Sequence, residues 1–262
     1  MEHSYWHKQT TDKPLFPDIE WSKPEQHSQR GKLGIIGGNK LGFLSVAESY
    51  STALKTGVGE VKVLLPDAIK KSIHAIIPDA IYGSTNPSGG LASKAIIEMQ
   101  AIGDWASGII LIGDTGRNSE TAILYEDFIN KYNDPLVITR DAIDLIKNNI
   151  STVIDRPNTL IVASFAQLQK LFQNVYYPKV LTFSMQLTNL VEALHKFTIT
   201  YPICVSVFHK DIMFVAHQGQ VTSTPYDNPT KIWRGETATI AATYWLWSPN
   251  KPLESITASF VN

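Results

Sequence analysis

The order of segments along this chain predicts an α/β protein: a mostly parallel, doubly wound sheet with helices on both faces and antiparallel hairpins in the C-terminal third. Three observations carry that expectation. Short apolar runs rich in β-branched residues alternate with helix-length segments through the first two thirds of the chain. Two of those runs end in glycine turns, at Gly37-Gly38 and at Gly113 to Gly116. In the last third, three short runs follow one another with no helix between them, broken only by His209-Lys210-Asp211 and by His217-Gln218-Gly219.

The elements follow in order. Residues 1–30 hold Trp6, Phe16 and Trp21 among Pro14, Pro17 and Pro24, too aromatic for a free disordered tail. They are expected to form an extended N-terminal arm lying across the domain or across a neighbouring subunit. Residues 31–262 read as a single domain. A strand at 33–36 gives way to a helix over 44–55, then a strand at 60–65 and a helix from Pro66-Asp67 to 74. Residues 78–90 are crowded with turn formers and read as a loop. A helix over 91–100 precedes a buried parallel strand beginning at Gly108, and Asn118 or Ser119 can cap the helix over 119–131. Strands at 135–139 and 159–163 alternate with helices at 142–148 and 166–172, and another helix covers 187–196. The short runs are 203–208, 212–216 and 221–223. A helix at 235–247 is followed by a short terminal strand or tail at 256–260.

Composition excludes several classes. A chain of 262 residues can bury a substantial core in one domain. With a net charge of −1 and Lys and Arg scattered, it lacks the basic stripe of a nucleic-acid binder. The one cysteine, Cys204, sits in an apolar run, so no disulfide framework exists and a reducing compartment is expected. The charged, proline-bearing start is no signal peptide, and no run reaches the roughly twenty apolar residues of a membrane span. A soluble, cytoplasmic protein is expected. His27, His74, His195 and His217 have no metal-site spacing, so no protein metal cage is expected.

The first glycine turn fits neither familiar phosphate motif. Gly37 and Gly42 have the P-loop separation, but Phe43 and Leu44 follow where Lys and Ser/Thr are needed; adjacent Gly37 and Gly38 break the dinucleotide spacing. Local pattern leaves two readings open, a tight connection without a ligand and a turn that receives one at the helix start.

The stretch IGGNKLGFLSVAESYSTALKTGVGEVKVLLP, from Ile36 to Pro66, resembles the opening of the ADP/ATP-dependent NAD(P)H-hydrate dehydratases, a ribokinase-like family. Four later stretches resemble the same family. IGDTGRNSET, from Ile112, is similar to its second glycine turn. PLVITRDAIDLI and TLIVASFAQLQKL, from Pro135 and Thr159, match two framework strands, and KIWRGETA, from Lys231, matches the start of the last long helix. The resemblance implies a ribokinase-like fold and a reaction in which ADP or ATP, with Mg²⁺, phosphorylates the hydroxyl of hydrated NADH or NADPH before phosphate leaves. It places Gly38, Asn39, Ser45, Gly113, Asp114 and Ser164 at the substrate. Gly235, Arg234, Thr237, His209 and Lys210 would hold the nucleotide, Mg²⁺ arriving with it. Glu236 takes the place of the family's catalytic Asp as base. Partners are expected to be small-molecule nucleotides, with no membrane, and the assembly a homo-oligomer.

Read without the resemblance, Asp114 is a turn carboxylate or helix cap, or else a metal or substrate ligand, and Glu236 is a first-turn acid offsetting the helix dipole. The chain also departs from the family pattern. Ser164-Phe165-Ala166-Gln167 stands where the family has His-Pro-Gly-Glu, removing an imidazole and a carboxylate. The loop before Glu236 is about two residues short of the family's glycine-rich one, and Gly42, Phe43 and Leu44 replace Tyr, Thr and Gly. A nucleotide-binding relative without catalysis, and a small-molecule kinase on the same fold, are therefore the alternatives.

Overall fold

A computed structural model of the chain describes residues 4–261. Ten strands form one sheet in the order β1-β10-β9-β8-β7-β6-β5-β2-β3-β4. In chain order the elements are β1 (Trp6–Lys8), β2 (Lys32–Gly37), α1 (Leu44–Thr56), β3 (Glu60–Pro66), α2 (Lys70–Ile73) and β4 (Ile81–Gly83). Then come α3 (Ile96–Trp105), β5 (Gly108–Gly113), α4 (Ser119–Ile129), β6 (Leu136–Thr139), α5 (Ala142–Leu145), α6 (Ile150–Ile154) and β7 (Thr159–Ser164). The last third holds α7 (Phe165–Asn174), α8 (Leu187–Thr200), β8 (Cys204–His209), β9 (Ile212–His217), β10 (Gln220–Pro225), α9 (Pro229–Arg234), α10 (Glu236–Trp247) and α11 (Pro252–Ala258).

The strands from β4 across to β8 are parallel, and β9 and β10 turn antiparallel. The parallel strands are buried on both faces, which is why they read as continuous apolar runs. One face packs on α3 to α8 through a core that includes Leu111, Phe128, Ile138, Phe172 and Phe197. The other packs on α1, α10 and α11 through Leu33, Ile110, Val162, Ala241 and Trp245. The two hairpin turns are tight because Lys210-Asp211 and Gln218-Gly219 all adopt left-handed φ, the geometry that matches strand twist in two-residue turns.

Four expectations are adjusted. The stretch 256–260 is neither strand nor tail: Pro252 opens α11, and Ile256 and Phe260, four apart, bury one face of that turn against the core. The loop at 78–90 contains the three-residue edge strand β4, paired with β3. The helix expected from 91 starts at Ile96, after a 3-10 turn at Ser93–Ala95. The helix expected over 142–148 is α5, a 3-10 turn at Ile146–Asn149 and then α6.

Residues 1–3 of the expected arm lie outside the described residues, and residues 4–30 are not uniformly extended. They carry β1, parallel to β10 at the sheet edge, and two 3-10 turns at Pro17–Ser22 and His27–Gln29. Phe16, just before the first of these turns, and Ile19, within it, pack on Tyr244, Trp247 and Ala258.

Candidate functional site

The chain leaves β2 toward β3 and β4 on one side and returns to β5 on the other, so the switch-point crevice expected of an open α/β sheet falls beyond the carboxyl ends of β2 and β5. The two glycine turns meet there: the Gly38 amide donates to the Gly113 carbonyl at 2.8 Å. Side chains are excluded by contact. A Cβ on Gly37 would lie 2.5 Å from the Gly113 carbonyl oxygen, and one on Gly113 would lie 2.1 Å from Asp141 Oδ1.

Asp114 is the hub. Its φ of 57° is left-handed, a conformation that Asp tolerates better than most residues. Its Oδ2 accepts the Ser45 amide at 3.1 Å and also the Ser45 hydroxyl. Phe43, at the N-cap position of α1, offers no side-chain acceptor, so Asp114 caps α1 from a neighbouring strand and places negative charge at its amide pole. Asp114 Oδ1 forms an ion pair with Arg140 Nη2, both side chains being less than one-quarter exposed. The Asp114 amide donates to Asp141 Oδ1 at 2.7 Å. Arg140 is itself left-handed, and its Nε is buried without a hydrogen-bond partner. The Arg140 carbonyl accepts Gln167 Nε2 at 2.7 Å. One connected polar network thus joins α1, β5, β6 and α7.

Of the residues expected at the substrate, Gly38, Ser45, Gly113 and Asp114 come together in this crevice. Asn39 borders it, but its Nδ2 is committed to the carbonyls of Ser88, at 3.0 Å, and Thr115, at 3.2 Å, and so staples three loops. Ser164 lies at the end of β7 as the N-cap of α7, in a capping box with Gln167. The residues that replace the family's His and Glu therefore serve the helix start. Sequence reading missed Arg140, whose partner is 26 residues away, and no local signal marks it.

Of the residues expected at the nucleotide, Arg234, Gly235 and Thr237 stand at the α9–α10 junction, and His209 and Lys210 at the end of β8, linked to it through Tyr226, whose amide donates to the Asp211 carbonyl at 2.9 Å. Gly235 ends α9 and opens α10 at once, with φ of 85°; a Cβ there would lie 2.4 Å from Ile112 Cδ1. The carbonyl end of α9 therefore abuts the amide end of α10 and offsets the pole that would attract phosphates. Arg234 pairs with Glu48 at 3.3 Å, and Thr237 Oγ1 bonds the Tyr226 hydroxyl at 2.7 Å. Lys210 donates to the Met185 carbonyl at 2.8 Å. His209 is buried, stacked on Phe165 with ring centroids 4.1 Å apart; burial and the neighbouring Lys210 charge lower its pKa.

Glu236 opens α10 directly after Gly235, which packs on Ile112 and Ser49. It shares one face of α10 with Ile240, Tyr244 and Trp247, and with Thr52 and Thr56 of α1 and Glu20 and Lys23 of the arm it lines a groove of about 490 Å³. Thr52 is two helical turns beyond Ser45, about 10 Å along the axis. At the start of α10 the acid Glu236 thus stands next to an arginine that is drawn to Glu48.

No protein-family model matches the chain. Among curated proteins it is similar to the bifunctional NAD(P)H-hydrate repair enzyme Nnr of Dictyoglomus turgidum, 26% identical over 135 residues that make up 50% of this chain and 26% of that protein. It is also similar to Nnr of Methanothermobacter thermautotrophicus, 24% identical over 160 residues, 59% of this chain and 30% of that protein. The chain thus spans under a third of the length of the curated relatives it matches. Among solved structures, a ribokinase-like superfamily protein from Enterococcus faecalis superposes with a TM-score of 0.74 at 15% identity, over 99% of this chain and 86% of that one. The ADP/ATP-dependent NAD(P)H-hydrate dehydratase of Bacillus subtilis, co-crystallized with ATP/Mg²⁺, gives 0.59 at 10% identity, over 94% and 85%. A hydroxyethylthiazole kinase from Pyrococcus horikoshii gives 0.55 at 11%, over 93% and 80%. In fold the chain is ribokinase-like, and the curated sequences it resembles are NAD(P)H-hydrate repair enzymes.

Proposed function

We propose that this chain is a divergent ADP/ATP-dependent NAD(P)H-hydrate dehydratase that receives the nicotinamide end of hydrated NADH or NADPH in the crevice between Gly38 and Gly113. One observation carries the reading: at the switch point of the sheet, where ligands of open α/β folds gather, Ser45, Asp114 and Arg140 form a polar floor bounded by close-packed glycine turns. The similarity to the repair enzymes supplies the chemistry. In this reading Asp114 is the carboxylate that meets the substrate hydroxyl, in exchange for the Ser45 hydroxyl it now accepts. A cytoplasmic setting and a homo-oligomeric state belong to the same proposal; among the described residues no helix is long and apolar enough to cross a membrane.

A second reading, a nucleotide-binding relative without turnover, is favoured by the α9–α10 junction, where the carbonyl end of one helix meets the amide end of the next. The deciding experiment follows loss of NADPH hydrate in the presence of ADP or ATP with Mg²⁺. Wild type is expected to restore the dihydronicotinamide absorbance, Asp114→Asn to slow it by about a hundredfold, and Glu236→Gln to leave it within about threefold. Loss of turnover in Glu236→Gln alone would return the base to Glu236. An inactive wild type that is nonetheless stabilised by NADPH would establish the second reading. Phosphorylation of an added hydroxyl compound without dehydration would identify a kinase.

A further inference from the structure

A concavity of about 510 Å³, within the range of small-molecule sites, lies between the first turn of α4, the segment 141–150 and α7. Its floor is apolar and buried, with Ile143, Ile150 and Leu171. Its rim is cationic and exposed: Arg117 before α4, Lys147 after α5 and Lys170 on α7. The two acids that line it are already engaged. Asp141 Oδ1 accepts the Asp114 amide at 2.7 Å, while Asp144 takes Lys170 Nζ at 3.3 Å and Gln167 Nε2 at 3.5 Å. Arg117 and Lys147, by contrast, have no carboxylate within ion-pair distance among the described residues.

Two uncompensated cations above an apolar floor, with amide side chains such as Gln167 between, match a ligand that carries phosphate at one end and a flat or apolar body at the other. We propose that this cavity binds a phosphate-bearing small molecule of nucleotide size, its phosphates toward Arg117 and Lys147 and its body over Ile143, Ile150 and Leu171. The site is separate from the start of α10. Two residues link the cavity to the crevice network: Asp141 lines the cavity and accepts the Asp114 amide, and Gln167 lines it and donates to the Arg140 carbonyl. A ligand seated here would therefore bear on the ion pair of the crevice. The inference does not depend on the dehydration reading.

The test is equilibrium dialysis of ADP, NADPH and inorganic pyrophosphate against the full chain, at low and at raised salt, with the Arg117→Glu/Lys147→Glu double variant and with Lys147→Glu alone. Both positions are exposed, so the variants are expected to keep the wild-type melting temperature. At least one nucleotide should bind saturably, more weakly at raised salt, and at least about tenfold more weakly to the double variant. Comparison of ADP with NADPH identifies whether a mononucleotide or a dinucleotide is the source of the phosphate. Affinity indifferent to both variants, or no saturable binding of any of the three probes, would overturn the inference. The two proposals fail separately: an inactive chain whose ADP binding needs Arg117 and Lys147 keeps this one alone, and an active chain whose binding ignores them keeps only the other.

Discussion

His209 ends β8 with its ring on Phe165 and its Nε2 buried without a partner, an arrangement that suits a neutral imidazole and opposes a charged one. Burial and the adjacent Lys210 charge both lower its pKa from the ordinary 6.5. His217 is lowered too, chiefly by burial, although a backbone bond near Ile203 and the Glu254 charge pull the other way. In each case the unfolded chain binds a proton more readily than the folded one. The stabilisation is complete above about pH 6.5 and drains away as pH falls through the depressed folded values. The urea midpoint of the wild type is therefore expected to drop between about pH 7.5 and pH 5.5, and His209→Phe, which keeps an aromatic ring against Phe165, should show a shallower drop. Parallel pH profiles for the two would mean that the imidazole titrates as it does in an unfolded chain. At this scale the sequence is legible only where a residue's role is local. Ser45 and Asp114 stand at glycine turns and could be picked out, and Ser164 with Gln167 has the spacing of a capping box. Arg140 could not be found, because what it does is decided by a carboxylate at the end of the neighbouring strand, 26 residues back in the chain.

Elements show the same division. The parallel strands were legible because burial on both faces leaves an unbroken apolar run, as in Gly108–Gly113. β1 and β4 were not, because three residues at a sheet edge need no apolar pattern, only neighbours with free backbone groups. β1 is held less by its own residues than by Gln9, which is 1% exposed directly after it. Gln9 Nε2 donates to Thr224 Oγ1 at 2.8 Å and to the Thr257 carbonyl at 2.6 Å, and its Oε1 accepts the Leu15 amide at 3.2 Å. One side chain thereby joins the edge strand, β10 and α11. Gln9→Ala removes these bonds and leaves buried groups unsatisfied, which should destabilise the chain by about 2–4 kcal/mol in urea unfolding. Faster amide exchange is expected in β10 and α11 than in the parallel strands. A loss spread evenly over the sheet would show that Gln9 has no such local role.

At the scale of the whole molecule, the arm connects the beginning of the chain to its end. It extends the sheet at β10, lays Phe16 and Ile19 against Tyr244, Trp247 and Ala258, and then sets Lys23 over the Trp247 ring at 4.9 Å, with its Nζ donating to the Thr56 carbonyl at 3.0 Å. Sheet edge, α10, α11 and the end of α1 are all held by one segment, and the crevice network hangs from the other end of α1. Deleting everything before Glu25 would uncover the β10 edge, the kind of unpaired strand that recruits other chains, and would remove Ile19 and Phe16 from Tyr244, Trp247 and Ala258, with the burial of Ile19 alone worth about 1.5–3 kcal/mol. The truncated chain is expected to melt lower and to scatter light as it associates through the bared edge. Its affinity for a crevice ligand should fall less than its stability, because Asp114 and Arg140 take their support from β5, β6 and α7 rather than from the arm. A truncated chain that melts with the full one and stays monodisperse would show that the arm merely lies on a fold complete without it.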